Sequence, residues 1–266
     1  MEPASLSLRR GDILQRDEPT PFVVENAGGA SPLVLLCDHA GRRVPRAIEL
    51  GVSAADMDRH IAWDIGAEGT ARRLSALLDA ALVLQPYSRL VIDCNRNPAR
   101  ADACPEISDG TPVPANVGLS AEAKRARVDS VHEPYHARIA ALLDERKAAA
   151  RPTRLVLVHS FTPVMAGVPR PWRYGVLHTG QPFALAVLAA LRREPDLGEI
   201  GDNAPYAMDE QDYTAFRHGR DRGIDFAELE IRQDLIAEPD GQAQVADRLA
   251  RVLQAAGAAL TTADRG

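Results

Sequence analysis

Residues 33–39 read LVLLCDH, a run of apolar residues followed at once by Asp38 and His39. A proline precedes the run and a glycine ends it, so its length is that of a strand and not of a helix. Residues 155–160 read LVLVHS and repeat the arrangement, with His159 directly after the apolar residues. Such unbroken apolar runs are typical of strands buried on both faces, as in the parallel sheets of α/β proteins.

Working outward from these two runs, short apolar segments alternate with longer stretches of helical pattern. Strands that alternate with helices indicate an α/β sheet covered by helices on both faces. We therefore expect a three-layer α/β/α fold. The predicted strands are 33–37, 81–85, 90–93, 154–159, 174–178 and 224–231, and the predicted helices are 64–80, 120–150, 182–193 and 242–256.

Length and composition fit one globular domain. The chain has 266 residues, of which 45% are hydrophobic and 26% are charged. We expect a single domain over 1–266, with 1–30 as an N-terminal extension and 258–266 as a flexible tail. The formal net charge is −6, from 31 Lys and Arg against 37 Asp and Glu. Binding to nucleic acid or to a membrane surface through general electrostatic attraction is therefore not expected.

The expected compartment is the cytoplasm. Residues 1–11 lack the basic and then apolar pattern of a secretory signal, and no run approaches the roughly 20 apolar residues of a membrane-spanning helix. The cysteines are Cys37, Cys94 and Cys104, an odd number without paired spacing. That argues against a disulfide framework and fits a reducing environment. The sequence leaves the oligomeric state open.

Polar side chains directly follow the predicted strands. In α/β sheets the chemistry gathers at the carboxyl ends of the strands, so these residues are expected at one edge of the sheet. Five such strand ends in one chain favour a single polar site over scattered turn residues. The residues concerned are Asp38, His39, Asp93, Asn95, Arg96, His159, Ser160, His178, Glu230 and Arg232.

One histidine pair matches a known zinc pattern. Residues 132–136 read HEPYH, the His-Glu-x-x-His order of zinc proteases, which needs an unbroken helix to put both imidazoles on one face. Pro134 lies between the two histidines, and a proline inside a helix removes a hydrogen bond and displaces the preceding residue. We expect a helix start or kink at Pro134, with His136 free to face the cleft, and no protease-type zinc site.

A second, dispersed set is the better metal hypothesis. His39 and His159 each end a predicted buried strand, and Asp64 lies near the predicted start of a helix. Two histidines and one carboxylate are a usual protein ligand set for catalytic zinc, with a fourth position left for water. Each residue alone also fits an ordinary role as a turn cap, helix-start carboxylate or buried side chain. Their shared place at one sheet edge favours the metal site.

The same residues carry a resemblance to two groups of hydrolases. Segments 90–98, 157–161 and 229–232 resemble the Asp-x-Asn-Arg-Asn stretch, the second zinc histidine and the catalytic-glutamate strand of zinc carboxypeptidases. The whole chain resembles more closely the N-formylglutamate amidohydrolase family, through ordered motifs that together are specific. These motifs are CDHAG at 37–41 with VP at 44–45, HIAWDIGA at 60–67, SR at 88–89, DCNRNP at 93–98, PYH at 134–136 and EIRQDL at 230–235.

The resemblance implies a fold and a reaction. The fold is that of the zinc exopeptidases, with a central mixed, mostly parallel sheet. The reaction is hydrolysis of the formamide of N-formyl-L-glutamate to formate and L-glutamate, a step of histidine degradation. The carboxypeptidase pattern has a carboxylate three residues after its first histidine, where this chain has Arg42. Asp64 is expected to supply that ligand instead, with Asp38 and His60 as alternates.

Roles for the remaining residues follow from the same resemblance and from side-chain chemistry. One divalent metal, zinc or cobalt, would sit on His39, Asp64 and His159. Glu230 is expected to be the general base, since a carboxylate can take and return a proton. The remaining expectations are Arg89 and then Arg232 at the oxyanion, and Asn95 and Arg96 at a substrate carboxylate. His136 and His178 are expected either to contact the substrate or to support the residues that do, and a purely structural role stays open for each.

The expected partner is a small anionic N-acyl amino acid. The motifs concern the metal and the carboxylate clamp and hardly concern the acyl pocket. A carboxypeptidase-like or deacylase activity on another N-acyl amino acid or small peptide therefore stays open. A non-catalytic ligand-binding protein on the same fold is the alternative from another class, which the combination of a metal set with a base does not favour.

Overall fold

The computed structural model describes residues 13–263 of the chain. Within that range eleven strands are present, seven in one central sheet and four in two short hairpins. They are β1 Val23–Glu25, β2 Leu33–Cys37, β3 Ala81–Leu84, β4 Ile107–Ser108, β5 Thr111–Pro112, β6 Arg154–Phe161, β7 Val164–Met165, β8 Val168–Pro169, β9 Tyr174–Leu177, β10 Gly201–Asp202 and β11 Phe226–Arg232.

The central sheet is mixed and mostly parallel, as predicted. Its strand order is β1-β3-β2-β6-β11-β9-β10. Strands β3, β2, β6 and β11 are parallel neighbours, whereas β1, β9 and β10 run the other way. The apolar runs at 33–37 and 155–158 are fully buried in β2 and β6 at the middle of the sheet. Their sequence has no polar alternation because neither face of these strands meets solvent.

Helices cover both faces of the sheet and complete the predicted three layers. Helices α2, α5 and α6 share one hydrophobic cluster with the sheet, and α4 shares the cluster on the other face. The helices are α1 Ala54–Met57, α2 Ala67–Leu78, α3 Ala121–Arg127, α4 Glu133–Ala148, α5 Pro182–Leu191 and α6 Pro239–Ala263, with short π-helical segments at Val128–His132 and Ala215–Gly219.

Pro134 lies in the first turn of α4, which confirms the predicted helix start. The π-helical segment Val128–His132 joins α3 to α4, so the helical path continues through the proline without a break in the chain direction. Pro134 has no N–H and cannot complete a regular i→i−4 bond, and the helix departs from that regular pattern in the π-helical segment directly before it.

Two predicted strands need correction. Residues 90–93 form a buried turn, because the Leu90 N–H donates to Ser88 Oγ at 3.1 Å and the Val91 N–H donates to the Ser88 carbonyl at 2.9 Å. Strand β9 exists but runs antiparallel to β11. His178, which follows β9, therefore lies at the edge opposite the carboxyl ends of β2, β6 and β11. An apolar run predicts a strand but carries no information about its direction.

Both chain ends contribute more regular structure than expected. The segment predicted as an extension contains β1, which pairs with β3. Helix α6 continues past the predicted tail start at residue 258, since Leu260 packs against the core and Thr261 Oγ donates to the Gly257 carbonyl at 3.1 Å. The outermost parts of these two segments, 1–12 and 264–266, lie outside the described residues. Across 13–263, no helix is both long and apolar enough to cross a membrane.

Candidate metal centre and its cavity

His39, Asp64 and His159 come together at the carboxyl edge of the central strands and could hold a metal ion. We call them the His-Asp-His group. His39 follows β2, Asp64 lies just before α2, and His159 lies in β6. The Asp64 N–H donates to the His39 carbonyl at 2.9 Å, and the Ser160 N–H donates to Asp64 Oδ2 at 3.2 Å. These bonds hold together three residues that are far apart in sequence.

Gly66 makes this approach of α2 to the sheet edge possible. Its φ is +77°, and a Cβ there would collide with the Ile236 carbonyl oxygen. A side chain at this position would be strained and would displace the chain. Only glycine allows α2 to begin directly after Asp64 while Asp64 faces the two histidines.

One oxygen of Asp64 faces a ring nitrogen of each histidine. Asp64 Oδ2 lies 2.9 Å from His159 Nδ1 and 3.5 Å from His39 Nδ1. The opposite nitrogens face other carboxylates, with His39 Nε2 at 2.7 Å from Asp93 Oδ1 and His159 Nε2 at 3.5 Å from Asp38 Oδ2. All three members of the group are almost fully buried. A carboxylate behind a ligating imidazole orients the ring and increases its basicity.

Buried carboxylates control the protonation of this group. Burial lowers the pKa of both histidines, as does Arg89 for His39, but neighbouring carboxylates outweigh these effects and raise both pKa values, that of His159 strongly. Burial raises the pKa of Asp64, and the adjoining histidines more than reverse this, so the pKa of Asp64 is lowered. Negative charge is therefore in excess around the two imidazoles, and this excess favours a proton or a metal cation there.

The residues present fit a divalent cation. Two imidazole nitrogens and one carboxylate oxygen are the donor set of many catalytic metal sites. Within the described part of the chain, His39 Nδ1 is buried and makes no hydrogen bond, although it lies 3.5 Å from Asp64 Oδ2. A buried ring nitrogen without a partner is costly unless something else satisfies it. A cation bound to all three donors would do so and would balance the surrounding carboxylates.

The two alternate ligands have different positions. Asp38 lies behind His159 and accepts a hydrogen bond from the Tyr135 hydroxyl at 2.7 Å. His60 lines the cavity in front of the group, with its Nε2 at 3.3 Å from Asp109 Oδ2. Neither belongs to the His-Asp-His group. Asp38 points away from His39 because adjacent residues at a strand end face opposite sides.

A cavity of about 630 Å³ opens in front of the group, and two glutamates of β11 line it. Glu230 pairs in register with His159, and Glu228 lies two residues earlier on the same face. Each glutamate has a buried Oε2 atom with no hydrogen-bond partner among the described residues. Burial raises the pKa of Glu230 to about 7 and raises that of Glu228 well above its usual value. Glu230 can therefore exchange a proton near neutral pH.

Arg89 connects the cavity wall to the His-Asp-His group. Its Nη1 donates to Asp64 Oδ1 at 3.2 Å, and its Nε and Nη2 donate to Asp93 Oδ2 at 3.2 and 3.0 Å. These bonds use three of the five N–H groups of a guanidinium, so two remain. Because both carboxylate partners are buried, the guanidinium is held rigidly at the edge of the cavity.

Asn95 and Arg96 line the same cavity from the loop that follows Asp93. The Asn95 N–H donates to Asp93 Oδ1 at 2.8 Å, and Asn95 Oδ1 accepts the Thr214 N–H at 3.0 Å. Arg96 Nη1 donates to the carbonyls of Asn95 and Gln211, both at 3.0 Å. Arg96 Nε lies 3.9 Å from Asp102 Oδ2, and no hydrogen bond of Arg96 Nη2 is present among residues 13–263.

Three residues predicted for the site lie elsewhere. Arg232 forms a two-pronged ion pair with Asp234 at 2.8 and 3.1 Å and is not part of the cavity wall. His178 follows the reversed strand β9, where its Nε2 lies 3.0 Å from Asp202 Oδ1. His136 is fully buried beneath the Asn95 loop, with Nε2 at 2.9 Å from the Cys94 carbonyl oxygen. The structure therefore provides no direct substrate contact for these three side chains.

The sequence-based prediction missed Glu228 and the residues that hold the loop 93–97 around Asn95. The period-2 alternation of a strand places Glu228 beside Glu230, so this residue could have been found from the sequence. Thr214 and His218 could not, because Thr214, which contacts the loop, and His218, which contacts His136, lie more than a hundred residues later in the chain than the loop. Asp93, which the sequence placed only among the polar residues at the sheet edge, bonds to both His39 and Arg89.

Fold and site together define a class of protein. A mixed α/β sheet that carries a buried His-Asp-His group, an adjacent glutamate of raised pKa and an arginine on one cavity is the arrangement of a hydrolase of the α/β/α type. The chain belongs to the N-formylglutamate amidohydrolase family, whose family model matches residues 31–237. It is thus a member of an enzyme family that hydrolyses amides.

Solved structures agree with this assignment. The crystal structure of gene product Atu2144 from Agrobacterium tumefaciens is 35% identical, with a TM-score of 0.90 over 94% of this chain and 99% of that chain. N-formylglutamate amidohydrolase from Ralstonia eutropha JMP134 is 18% identical, with a TM-score of 0.64 over 88% of this chain and 96% of that chain, and it shows the shared fold. A comparison with curated proteins gives no match.

Proposed function

We propose that the protein is a metal-dependent amidohydrolase that cleaves the formamide of N-formyl-L-glutamate into formate and L-glutamate. The observation that carries the proposal is the convergence of His39, Asp64 and His159 beside Glu230 on one cavity. The family match over 31–237 supports the same reaction. We propose zinc as the metal, with cobalt as a functional substitute, because the donors are two imidazoles and one carboxylate.

The His-Asp-His group would hold the cation through His39, Asp64 and His159, while Asp93 orients the His39 ring. A divalent cation in this position would polarise the formyl carbonyl and lower the pKa of a water molecule toward neutrality. The neighbouring carboxylate of Asp38 faces His159 and keeps that ring in place.

Glu230 is proposed to be the general base and then the general acid. It accepts a proton from the water that attacks the formyl carbon, and it returns the proton to the amine nitrogen as the C–N bond breaks. Burial raises its pKa to about 7, so that both protonation states are accessible at neutral pH. A carboxylate in ordinary solvent would be too weak a base for the first step and too weakly protonated for the second.

Arg89 is proposed to stabilise the oxyanion that develops on the formyl oxygen. Its ion pairs with Asp64 and Asp93 fix the guanidinium before the substrate arrives, and two N–H groups remain for the substrate. A donor that is already in place needs no reorganisation in the transition state. Arg96 and the Asn95 amide are proposed to bind a carboxylate of the substrate.

A chelation experiment tests the metal-dependent hydrolysis. Formate release from N-formyl-L-glutamate should disappear after treatment with a chelator and return when zinc or cobalt is added. Glu230→Gln should retain the metal and lose at least about a thousandfold in kcat, since the group that moves the proton is gone. Turnover that is indifferent to chelation would contradict the metal role, and normal turnover of the variant would exclude Glu230 as the base.

A second candidate is hydrolysis of an N-acyl amino acid with an uncharged or cationic side chain. The cavity wall favours this candidate because it contains more carboxylates than guanidinium groups, and Arg89 is already paired with two of them. The negative charge of the wall would repel both carboxylates of a dicarboxylate substrate. Besides Asp64, Asp93, Glu228 and Glu230, the carboxylates of the wall are Asp102, Asp109, Asp209 and Asp212.

A substrate series distinguishes the two candidates. N-formyl-L-glutamate, N-formyl-L-glutamine and N-formyl-L-arginine share the scissile formamide and the α-carboxylate and differ only in side-chain charge. The highest kcat/KM for the glutamate compound supports the first candidate. The highest kcat/KM for the glutamine or the arginine compound supports the second, and the Asp212→Asn variant should then reduce that preference.

A further inference from the structure

Buried histidines that lie outside the cavity wall contact the backbone of the loop 93–97. His136 Nε2 lies 2.9 Å from the Cys94 carbonyl oxygen, and His132 Nε2 lies 3.0 Å from the Arg96 carbonyl oxygen. His218 stands behind His136, with its Nε2 at 2.9 Å from His136 Nδ1. We call these three residues the histidine support. Each of them is almost completely buried.

We propose that the histidine support positions the loop 93–97 so that Asn95 and Arg96 present their side chains to the substrate carboxylate. The inference rests on the binding role proposed above for those two residues. The histidines are positioning residues, because they contact the backbone of the loop and none of them lines the cavity. A loop carries no regular secondary structure of its own, so its geometry depends on such bonds.

The hydrogen bonds determine one tautomer for each ring. A carbonyl oxygen only accepts, so Nε2 of His132 and Nε2 of His136 each carry the hydrogen. The Nδ1 atom of neutral His136 is then an acceptor and receives the Nε2–H of His218. The chain of bonds therefore requires a neutral His136 with its hydrogen on Nε2, and it places a hydrogen on Nε2 of His132 and of His218 as well.

Thr214, close to His218 in the chain, contacts the loop directly. The Thr214 N–H donates to Asn95 Oδ1 at 3.0 Å, and Thr214 Oγ donates to the Cys94 carbonyl at 3.4 Å. Thr214 directly precedes the π-helical segment Ala215–Gly219, on which His218 lies. His136 and Thr214 thus share one carbonyl, and the Asn95 amide is oriented from the same side. The loop is held between α4 and this segment.

The electrostatic environment agrees with neutral rings. Burial, followed by the other two imidazoles and Arg217, lowers the pKa of His136 well below its usual value. Burial and then Arg217 lower the pKa of His218 to about 3. Arg217 is itself held by Glu133 at 3.1 and 3.0 Å, so its positive charge stays close to the rings.

Paired variants of His136 test the inference in the metal-loaded protein. His136→Phe removes the bond to the Cys94 carbonyl and should raise KM for N-formyl-L-glutamate about tenfold, with kcat changed by less than about twofold. His136→Gln can place an amide N–H near the position of Nε2 and should restore most of the loss. Ser75→Ala is the matched control, since it removes a buried side-chain bond to a carbonyl, of 2.7 Å, on the opposite face of the sheet.

Two measurements decide the inference without reference to turnover. Nitrogen-15 spectra of the histidine rings at pH 7 should show the Nε2–H tautomer for His132, His136 and His218. Hydrogen exchange at the backbone N–H of Asn95 should accelerate in His136→Phe and not in Ser75→Ala. An Nδ1–H or doubly protonated His136, or unchanged exchange in a folded His136→Phe protein, overturns the inference.

The activity data separate this inference from the proposed function. If the wild-type protein does not release formate from N-formyl-L-glutamate, the proposed substrate is wrong, and the tautomer and exchange data still decide whether the histidines hold the loop. If the wild type is active and His136→Phe has an unchanged KM, the proposed function stands and the positioning role is wrong. An equal fall in kcat for His136→Phe and His136→Gln also contradicts the positioning role.

Discussion

The protein contains two buried histidine groups that have opposite electrostatic environments. In the His-Asp-His group, carboxylates face both nitrogens of each ring, and the pKa values of His39 and His159 are raised. In the histidine support, the rings face carbonyls and one another, apart from His132 Nδ1, which lies 3.5 Å from Glu133 Oε1. The pKa values of His136 and His218 are lowered. The first group favours a positive charge at its centre, whereas the second excludes one.

This difference shows that a buried histidine is not by itself evidence for a metal site. His132 and His136 have the spacing of a zinc-protease motif, yet their rings pack at a tilt with centroids 4.5 Å apart, and their N–H donors point to backbone carbonyls. His39 and His159 lie far apart in the sequence and share no motif, yet each has a ring nitrogen that faces Asp64. The partner of each ring nitrogen decides the role, and that partner is a property of the tertiary structure.

The largest expected effect comes from removing a member of the His-Asp-His group. His159→Ala should abolish stoichiometric metal binding and reduce kcat/KM at least about a thousandfold, because two donors cannot hold the cation that the reaction needs. Elemental analysis of the purified variant and a formate assay measure both effects. Full metal content in His159→Ala would show that the two histidine groups do not differ in the way we infer.

A smaller effect is expected from the carboxylate behind His39. Asp93→Asn should weaken metal affinity about 10- to 100-fold, because the imidazole loses the negative partner that increases its basicity. Competition with a chelator of known affinity measures the change. Asp102→Asn is the control, since it removes a charge from the same cavity wall but lies 3.9 Å from Arg96 and not beside an imidazole. Equal weakening in both variants would assign the effect to general charge.

The smallest effect concerns acid stability and the histidine support. Because His218 has a pKa of about 3 in the folded protein and about 6.5 when unfolded, the unfolded state binds more protons between these values. Its contribution to stability is full above about pH 6.5 and is lost as the pH falls toward 3. When the pH falls from 7.5 to 5.5, the unfolding free energy of the wild type should therefore fall by about 1.4 kcal/mol more than that of His218→Gln.

Denaturant titrations at the two pH values measure this difference. Ser75→Ala should lose as much unfolding free energy as the wild type over the same interval, since Ser75 does not titrate in this range. An identical pH dependence in His218→Gln and the wild type would mean that His218 takes up its proton over the same pH range in the folded and the unfolded protein. Burial would then not keep His218 neutral, and the contrast between the two histidine groups would fail.

Much of the fold and part of the site could be predicted from the sequence. The buried strands at 33–37 and 155–158 were predictable because strands covered on both faces have no polar alternation. His39 and His159 could be placed at one edge because β2 and β6 are parallel neighbours. His178 could not be placed, because the apolar run before it does not reveal that β9 is antiparallel to β11.

The amino-acid sequence by itself determined the α/β class, the positions of the central strands and the residue types available for hydrolysis. These properties are local, since they follow from apolar periodicity and from the side chains that end each run. Only the tertiary structure decided which groups meet. Asp64 is tied to His39 and to the strand of His159 by hydrogen bonds of the backbone at the sheet edge. His136 contacts the Cys94 carbonyl with one ring nitrogen and His218 with the other. Long-range contacts of this kind depend on strand direction and packing, which no local pattern encodes.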